Sequence, residues 1–506
     1  MKIFSDINKN LEKIKNKFKY EITSDFTIRT TKIYYLNNEY DAFICFYNGM
    51  VNKDHINHNI LAPITSTNFS ILESTNKNLE SYIEENVLTL QSLKKSNDFN
   101  ELSYLLNIGF TAIFVDTLDI FFACDTTSFE HRSVEKPQYE NSIKGPQETF
   151  NEVMNTNIAL IRKAIQKENL IFEQINIGSN ATNQAFIIYI EGITNMKIVN
   201  ELKYRISNID ADIILNSENL EQYIENTTAS PIPQFLTTER PDRVASFLME
   251  GRTIIMTNNS PNALVAPTNI IDWFQSAEDN YLKFPFNYIL KIIRLISIFI
   301  ALFLPGLYIA TVTYHIDSFP TNLALTLSGS RVNVPFQFVI EMLIMELAFE
   351  LLRESEMRVP SKVGPIISIV GGLILGQLAV MANIICPFTM IIVGFTGIAL
   401  YAIPNFYTAY GLRLIRYIFI LAAFVNGFLG LSLASFAFLV ILANTKSFGT
   451  EILPTFYIDK QDNIIHQIFN TPVFKNEKRN YTVGSKNIYA QPKISRRWTL
   501  NEKRKT

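Results

Sequence analysis

The chain has 506 residues and a net charge of −2, which leaves room for roughly two to four domains and gives no surplus of basic charge for a nucleic-acid partner. Its three cysteines, Cys45, Cys124 and Cys386, are scattered, with no C-x-x-C pair; they suggest neither a disulfide framework nor a zinc site. The N-terminal stretch MKIFSDINKNLEKIKNKFKY has no apolar core of a secretion signal, so the first large module is expected to stay in the cytoplasm.

Taken in order, Asn8 to Phe18 spaces Leu11, Ile14 and Phe18 as a short amphipathic helix does. DAFICFY, Asp41 to Tyr47, predicts a buried strand, and Asn78 to Lys95 a polar helix. Thr111 to Asp116 and Asp119 to Cys124 predict a hairpin. The Pro- and Gly-containing run SVEKPQYENSIKGPQ marks a subdomain boundary. Beyond it the pattern gives a helix over Phe150 to Gln166, a strand over Gln184 to Glu191, a helix over Ile198 to Ile206, and strands at Ala211 to Leu215, Arg252 to Thr257 and Asn262 to Ala266. Alternation of this kind implies sheets covered by helices, hence two small α/β subdomains, 1–145 and 146–280; no internal repeat is visible. Nucleotide-binding, hydrolase and zinc-protease motifs are absent from the sequence, which argues against an enzyme and names no cofactor. His55 and His58, three apart, read as surface histidines in preference to a metal pair.

From 281 to 445 the character changes. Fifty consecutive residues, Val363 to Leu412, contain no Asp, Glu, Lys or Arg. A bilayer takes about 20 apolar residues per helix, so this run predicts spans at Ile366 to Met381 and Phe388 to Ile403, flanked by Leu295 to Tyr314 and Tyr417 to Thr445. The expected fold class is therefore a cytoplasmic α/β region of two subdomains followed by an α-helical polytopic membrane domain of four or five apolar segments. Lys283, Lys291 and Arg294 at its entry favour a cytoplasmic start. The tail, 446–506, carries twelve Lys or Arg against five Asp or Glu and suits the cytoplasmic face and anionic membrane lipid. Five spans, however, would send that tail to the opposite side.

The fifth segment, Pro335 to Glu356, is apolar yet holds Glu341, Glu346, Glu350, Arg353 and Glu354. An ionisable group in hydrocarbon costs about 2.5–3.5 kcal/mol on insertion scales, so these must face protein or water. One reading makes Glu341, Glu346, Glu350 and Arg353, with Gln377 on the next helix, parts of an ion path. The other makes the acids structural ion-pair members, with Arg331, Arg353, Arg358 and Lys362 as partners. On Ile366 to Met381, Gly372 and Gly376 have the four-residue spacing of a close helix contact, while Ile369 and Leu373 on another face suit a hydrophobic gate.

GMVNKDHINHNILAPI (Gly49 to Ile64), HRSVEKP (His131 to Pro137), TNIALIRK (Thr156 to Lys163), IYIEGITN (Ile188 to Asn195), FLTTERPDRVASFLMEGRT (Phe235 to Thr253), PTNIIDWFQSAEDNY (Pro267 to Tyr281), LPGLYIATVTYH (Leu304 to His315), SRVNVPF (Ser330 to Phe336), MELAFELLRE (Met345 to Glu354) and SIVGGLILGQ (Ser368 to Gln377) follow one another in the order of a known family. Together they resemble the A subunits of GerA-type spore germinant receptors over nearly the whole chain. The resemblance implies a receptor in the spore inner membrane with a transporter-like B subunit that takes the nutrient and a lipoprotein C subunit. It also implies that the A subunit assembles as a homo-oligomer, a ring of about five copies, around a cation-releasing pore. Its alternatives are a non-conducting scaffold or signal-transmitting subunit, or a paralogue acting with the dipicolinate-release machinery. A lone secondary transporter would need more spans and paired broken helices.

Overall fold

The computed structural model describes residues 2–35, 38–65, 78–88, 92–128, 137, 140, 142–228, 230–358, 364–453, 478–479 and 483–492; of 86, 356–358 and 364–370 it describes the backbone only. Most of HRSVEKP and most of the predicted 446–506 tail lie outside the described residues.

The first domain runs α1 (Ile7–Lys17), β1 (Phe26–Tyr35), β2 (Asn38–Tyr47), short turns α2 (Lys53–Ile56), α3 (Ala62–Thr65) and α4 (Leu79–Tyr82), β3 (Leu93–Ser96), α5 (Phe99–Asn107), β4 (Phe110–Val115) and β5 (Phe121–Asp125). Its sheet has the order β1-β2-β4-β5-β3, antiparallel throughout. Alternation along β2 explains its continuous burial. Phe43, Cys45 and Tyr47 meet Ile14 and Phe18 of α1 and Leu102 and Leu106 of α5, while Ala42, Ile44 and Phe46 meet Ile56, Ile60, Ile64 and Ile83 on the other face.

The second domain runs α6 (Met154–Ala164), β6 (Leu170–Ile177), β7 (Asn183–Ile190), α7 (Met196–Ser207), α8 (Ser217–Ile224), β8 (Leu236–Thr238), α9 (Pro241–Glu250), β9 (Thr253–Thr257) and β10 (Ala263–Ala266). Its order is β6-β7-β9-β10-β8, again antiparallel. The two sheets thus share one topology: a helix, a long hairpin, helical turns, an edge strand, a helix and a second hairpin. Each is covered on both faces; in the second, α6 and α9 lie on one side and α7 and α8 on the other. The duplication escaped a reading of the sequence because only the order of elements repeats.

Some predicted elements shift. The helix expected over Asn78 to Lys95 stops at Val87, and Leu93–Ser96 is instead an edge strand on β5, with Lys94 and Lys95 on the exposed rim where edge strands tolerate charge. Ala211 to Leu215 is not a strand: a single bridge joins Ala181 to Ile213, and the amides of Ser179 and Asn180 take up the carbonyls of Ala211 and Asp212. Unpredicted elements include β1, β6, α8 and α9, the last opening on Pro241 and ending at Gly251, whose φ of 98° suits glycine.

Between the two domains sits a buried ion pair. Arg162 of α6 donates to Asp25 through Nε at 2.5 Å and Nη2 at 3.0 Å, its guanidinium lying 3.8 Å over the ring of Tyr47. Ser24 adds a backbone hydrogen bond to the Phe172 carbonyl at 2.9 Å.

The C-terminal region is helical: α10 (Phe286–Tyr314), α11 (Thr321–Ser330), α12 (Phe338–Arg358), α13 (Gly364–Met381), α14 (Pro387–Tyr401) and α15 (Phe406–Asn444). By length and composition α10 and α15 can each cross a membrane. The single span expected over Tyr417 to Thr445 needs correcting. Helix α15 breaks at Asn426 (φ −133°, ψ 17°) and Gly427 (φ 59°, ψ −134°), and a Cβ on Gly430 would strike the Ala422 carbonyl, so the second arm doubles back on the first. Both ends of α15 meet one loop of the second domain: a Cβ on Gly411 would strike the Pro231 carbonyl, and Asn226, Pro231, Ile441 and Asn444 line one cavity. Tyr314, at the far end of α10, donates to the carbonyls of Phe424 and Val425 at 2.7 and 2.9 Å and holds the reversal.

The arms α10, α12, α13, α14 and the two halves of α15 alternate in direction, so the tail returns to the side of the soluble domains. There it packs on the second domain: Asn226 Nδ2 donates to the Lys446 carbonyl at 2.6 Å, Ser447 Oγ to the Gln234 carbonyl at 2.7 Å, and Arg479 Nε to the Met249 carbonyl at 2.6 Å. The short strands β11 (Lys446–Ser447) and β12 (Thr450–Glu451) form the turn.

Two outcomes follow from this packing. Arg162→Leu strands Asp25 in the interior and should cost about 3–5 kcal/mol of stability, read as a lowered melting temperature of the detergent-purified chain. On α8, burial and then the carboxylates of Glu225 and Glu218 push the Glu221 carboxyl from an ordinary 4.5 up to about 7. The folded state then holds its proton more tightly than the unfolded chain, so Glu221 costs stability progressively as pH rises from about 4.5 to about 7. Glu221→Gln should raise the melting temperature above pH 7 and leave it unchanged below pH 4, in a thermal series across that range.

Candidate functional site in the helical domain

The acids of α12 occupy two environments. Toward the soluble domains, α12 runs antiparallel to the first arm of α15 and the two are joined by a ladder of charge. Glu346 pairs with Arg416 Nη2 at 2.5 Å, both side chains 3% exposed. One turn on, Glu350 accepts from Arg353 at 2.7 Å and lies 3.5 Å from Arg413. Beyond it the guanidinium groups of Arg353 and Arg413 lie 4.5 and 5.1 Å from the ring centre of Tyr410. The spacing explains the fit: four residues separate the two acids and three separate Arg413 from Arg416, so each pair presents one helix face to the other.

Arg416 stands ten residues into its arm, about 15 Å along a helix axis, and so lies well within the apolar bundle. A charge at that depth needs an opposite charge in direct contact. Of the candidate partners read from the sequence, Arg353 engages Glu350, Arg331 does not join the ladder, and the Arg358 side chain and Lys362 lie outside the described residues; Arg413 and Arg416 were missed. Two basic residues, three apart in an otherwise apolar segment, were the available signal. Arg331 lies apart, 3.9 Å over the Phe338 ring and donating to the Phe336 carbonyl at 3.1 Å.

Glu341 sits at the other end of α12 and is fully buried. Its Oε2 accepts from the Cys386 backbone N–H at 2.8 Å and from the Thr389 hydroxyl at 3.2 Å, at the N-terminus of α14. Tyr308 of α10 is hydrogen-bonded to that hydroxyl at 3.1 Å, and Ser330 lies 3.3 Å from the Cys386 sulfur.

Helix α13 places Leu373 and Gln377 one turn apart on an exposed face, with Leu373 67% exposed. The Ile369 side chain lies outside the described residues. The close approaches fall at Gly376, where a Cβ would strike Met390 of α14, and at Gly371, where it would come within 2.8 Å of Leu352 of α12. At Gly372 the nearest atom, from Phe349, would stand at an ordinary 3.7 Å. The structure thus groups Glu346, Glu350 and Arg353 in one site, sets Glu341 in a second, and leaves Leu373 and Gln377 outside both. His55 and His58 are exposed, and no cluster of three metal-ligating residues occurs among the described residues.

The second domain reaches this bundle through a further set of buried pairs. Arg252 forks onto Asp272 at 2.6 and 2.9 Å, and Arg294 of α10 holds Asp279 at 2.7 and 2.8 Å. Asp272 and Asp279 also close two successive capping boxes, with Asn269 and Ser276, and these fix the turns that lead into α10.

The chain is 36% identical over 474 residues to spore germination protein KA of Bacillus subtilis (strain 168), covering 94% of this chain and 86% of that protein. An uncharacterized membrane protein, YfkQ, of the same organism is 33% identical over 423 residues, covering 84% and 82%. The solved N-terminal domain of the A subunit of the Bacillus megaterium spore germinant receptor GerK3 aligns with a TM-score of 0.42 at 30% identity, covering 53% of this chain and 96% of that one. The profile described as Bacillus/Clostridium GerA spore germination protein matches residues 12–482. The chain belongs to the GerA family of spore germination proteins.

Proposed function

We propose that this chain is the A subunit of a nutrient germinant receptor of the spore inner membrane, and that copies of it assemble through α13 around a cation path. In this reading the soluble domains and the tail face the cytoplasm. A transporter-like B subunit binds the nutrient and opens the path, and a lipoprotein C subunit completes the receptor. The reading involves no enzyme chemistry.

The observation that carries it is the outward face of α13. Leu373, Leu378 and Met381 are exposed there, and among them stands one carboxamide, Gln377. Facing lipid, Gln377 would leave its donors and acceptor unpaired. Facing the same residue of neighbouring copies, or water, it would be satisfied, and a ring of Leu373 one turn away would form an apolar constriction of the kind that closes by dewetting. Close packing seats α13 on α12 through Gly371 and on α14 through Gly376, so movement of α12 is passed to that face.

A second reading, a signal-transmitting subunit that does not conduct, is favoured by the ladder. Glu346 and Glu350 are engaged by arginines of their own chain, which withdraws them from any path in this state. On either reading the ladder couples α12 to α15.

In liposomes carrying the purified chain, a conducting assembly should show cation flux that Gln377→Leu reduces by tenfold or more and Leu373→Ser raises in the resting state. Absence of flux from every assembly of the chain with its partners would sink the conducting reading and leave the second. For the ladder, Glu346→Gln and Arg416→Gln should each cost about 3–5 kcal/mol. The double variant should cost less than their sum in a double-mutant cycle on thermal stability.

A further inference from the structure

Of the three acids that α12 places inside the bundle, two have a basic partner and one has none. Glu346 and Glu350 meet arginines. Glu341 is as deeply buried, at 0% exposure, yet no lysine or arginine pairs with it among the described residues, and its Oε1 has no hydrogen-bond partner there. The nearby cation, Arg331, is turned onto Phe338 and the Phe336 carbonyl.

Both hydrogen bonds of Glu341 are ones it accepts. Oε2 accepts a backbone N–H at the start of α14 and the Thr389 hydroxyl, and the positive end of that helix favours a carboxylate. These bonds occupy one oxygen and leave the other without a partner in a low-dielectric site. Around it the available ligands are hard oxygens: the carboxylate itself and the hydroxyls of Thr389 and Tyr308, themselves 3.1 Å apart.

We propose that Glu341 anchors a resident site for a monovalent alkali cation, shared by α12, α14 and α10. One carboxylate balances one positive charge. A divalent ion would call for more acids, and no group of three metal-ligating side chains occurs among the described residues. Hydroxyl and carboxylate oxygens, with no thiolate ligand in the set, suit sodium or potassium better than a transition metal. The site is sealed inside one chain, so it ties α12 to α14 whether or not the assembly conducts. With Ser330 against Cys386, it also fixes the α11–α12 turn beside it.

The test is thermal melting of the detergent-purified full chain in sodium, potassium or choline chloride at equal ionic strength. Wild type should melt at higher temperature in one of the alkali salts than in choline, with a saturable dependence on its concentration. Glu341→Gln should lose that dependence. Because removal of a buried acid can prevent folding, Thr389→Val serves as the second variant; it keeps the carboxylate and should move the midpoint of the alkali dependence roughly tenfold higher. Equal melting of wild type in all three salts would overturn the proposal, as would stabilisation by acid alone with no alkali dependence, which would mean that Glu341 takes a proton. An alkali shift that persists unchanged in the variants would overturn it as well.

Discussion

A guanidinium deep inside an apolar bundle cannot be solvated and cannot lose its charge, so it dictates what stands opposite. Arg416 is in that position, and Glu346 answers it with both side chains closed to solvent. Once that contact is made, the rotation of α12 about its axis, its antiparallel course against α15 and the placing of Glu350 beside Arg413 are all constrained by helix geometry. Apolar packing alone is poor at choosing among rotations of similar helices, because one leucine face resembles another. Charge pairing in hydrocarbon is selective because a wrong rotation leaves two charges buried and unpaired.

The same device recurs along the route from the soluble domains to the bundle. Asp25 with Arg162 joins the two sheets, Asp272 with Arg252 braces the turn leaving the second, and Asp279 with Arg294 grips α10. Each is buried and specific in geometry. The two successive capping boxes between Asn269 and Asn280 leave little rotational freedom in the connection. A displacement of the second domain is therefore carried to α10 as a rigid motion, and α10 packs along both arms of α15, with Gly306 set against Leu431 and Phe419.

Much of this was legible in the sequence where a local signal existed. The fifty-residue uncharged run announced the apolar helices α13 and α14, which are shorter than the two helices long enough to span, and strand character at DAFICFY and QAFIIYIE located central strands. Isolated signals did less well. The edge strand at Leu93 has a short polar pattern, LKKS, that only its neighbour β5 turns into a strand. The reversal at Asn426 and Gly427 hides in an apolar stretch because the two arms are both hydrophobic, and only the left-handed backbone at a glycine marks it. The pairing of Glu346 with Arg416 spans seventy positions in the chain, a distance across which no helical periodicity speaks. Repeated topology without repeated residues is the extreme case, since strand order is a property of pairing and not of composition.

The docking of the tail on the second domain has a consequence for how the molecule is made. Ser447, Phe448 and Ile452 complete the surface formed by Gln234, Phe235 and Ile270, and Arg479 closes against Met249, across as many as 230 positions of chain. These partners emerge from the ribosome only after every apolar helix. The second domain therefore stays incomplete along one side until the helical region has been made, and its last contacts form only if the arms of the bundle have folded back to the same end. An arm of α15 that failed to fold back would hold the tail at the far end of the bundle, and the exposed seam on the second domain would mark that molecule as misassembled.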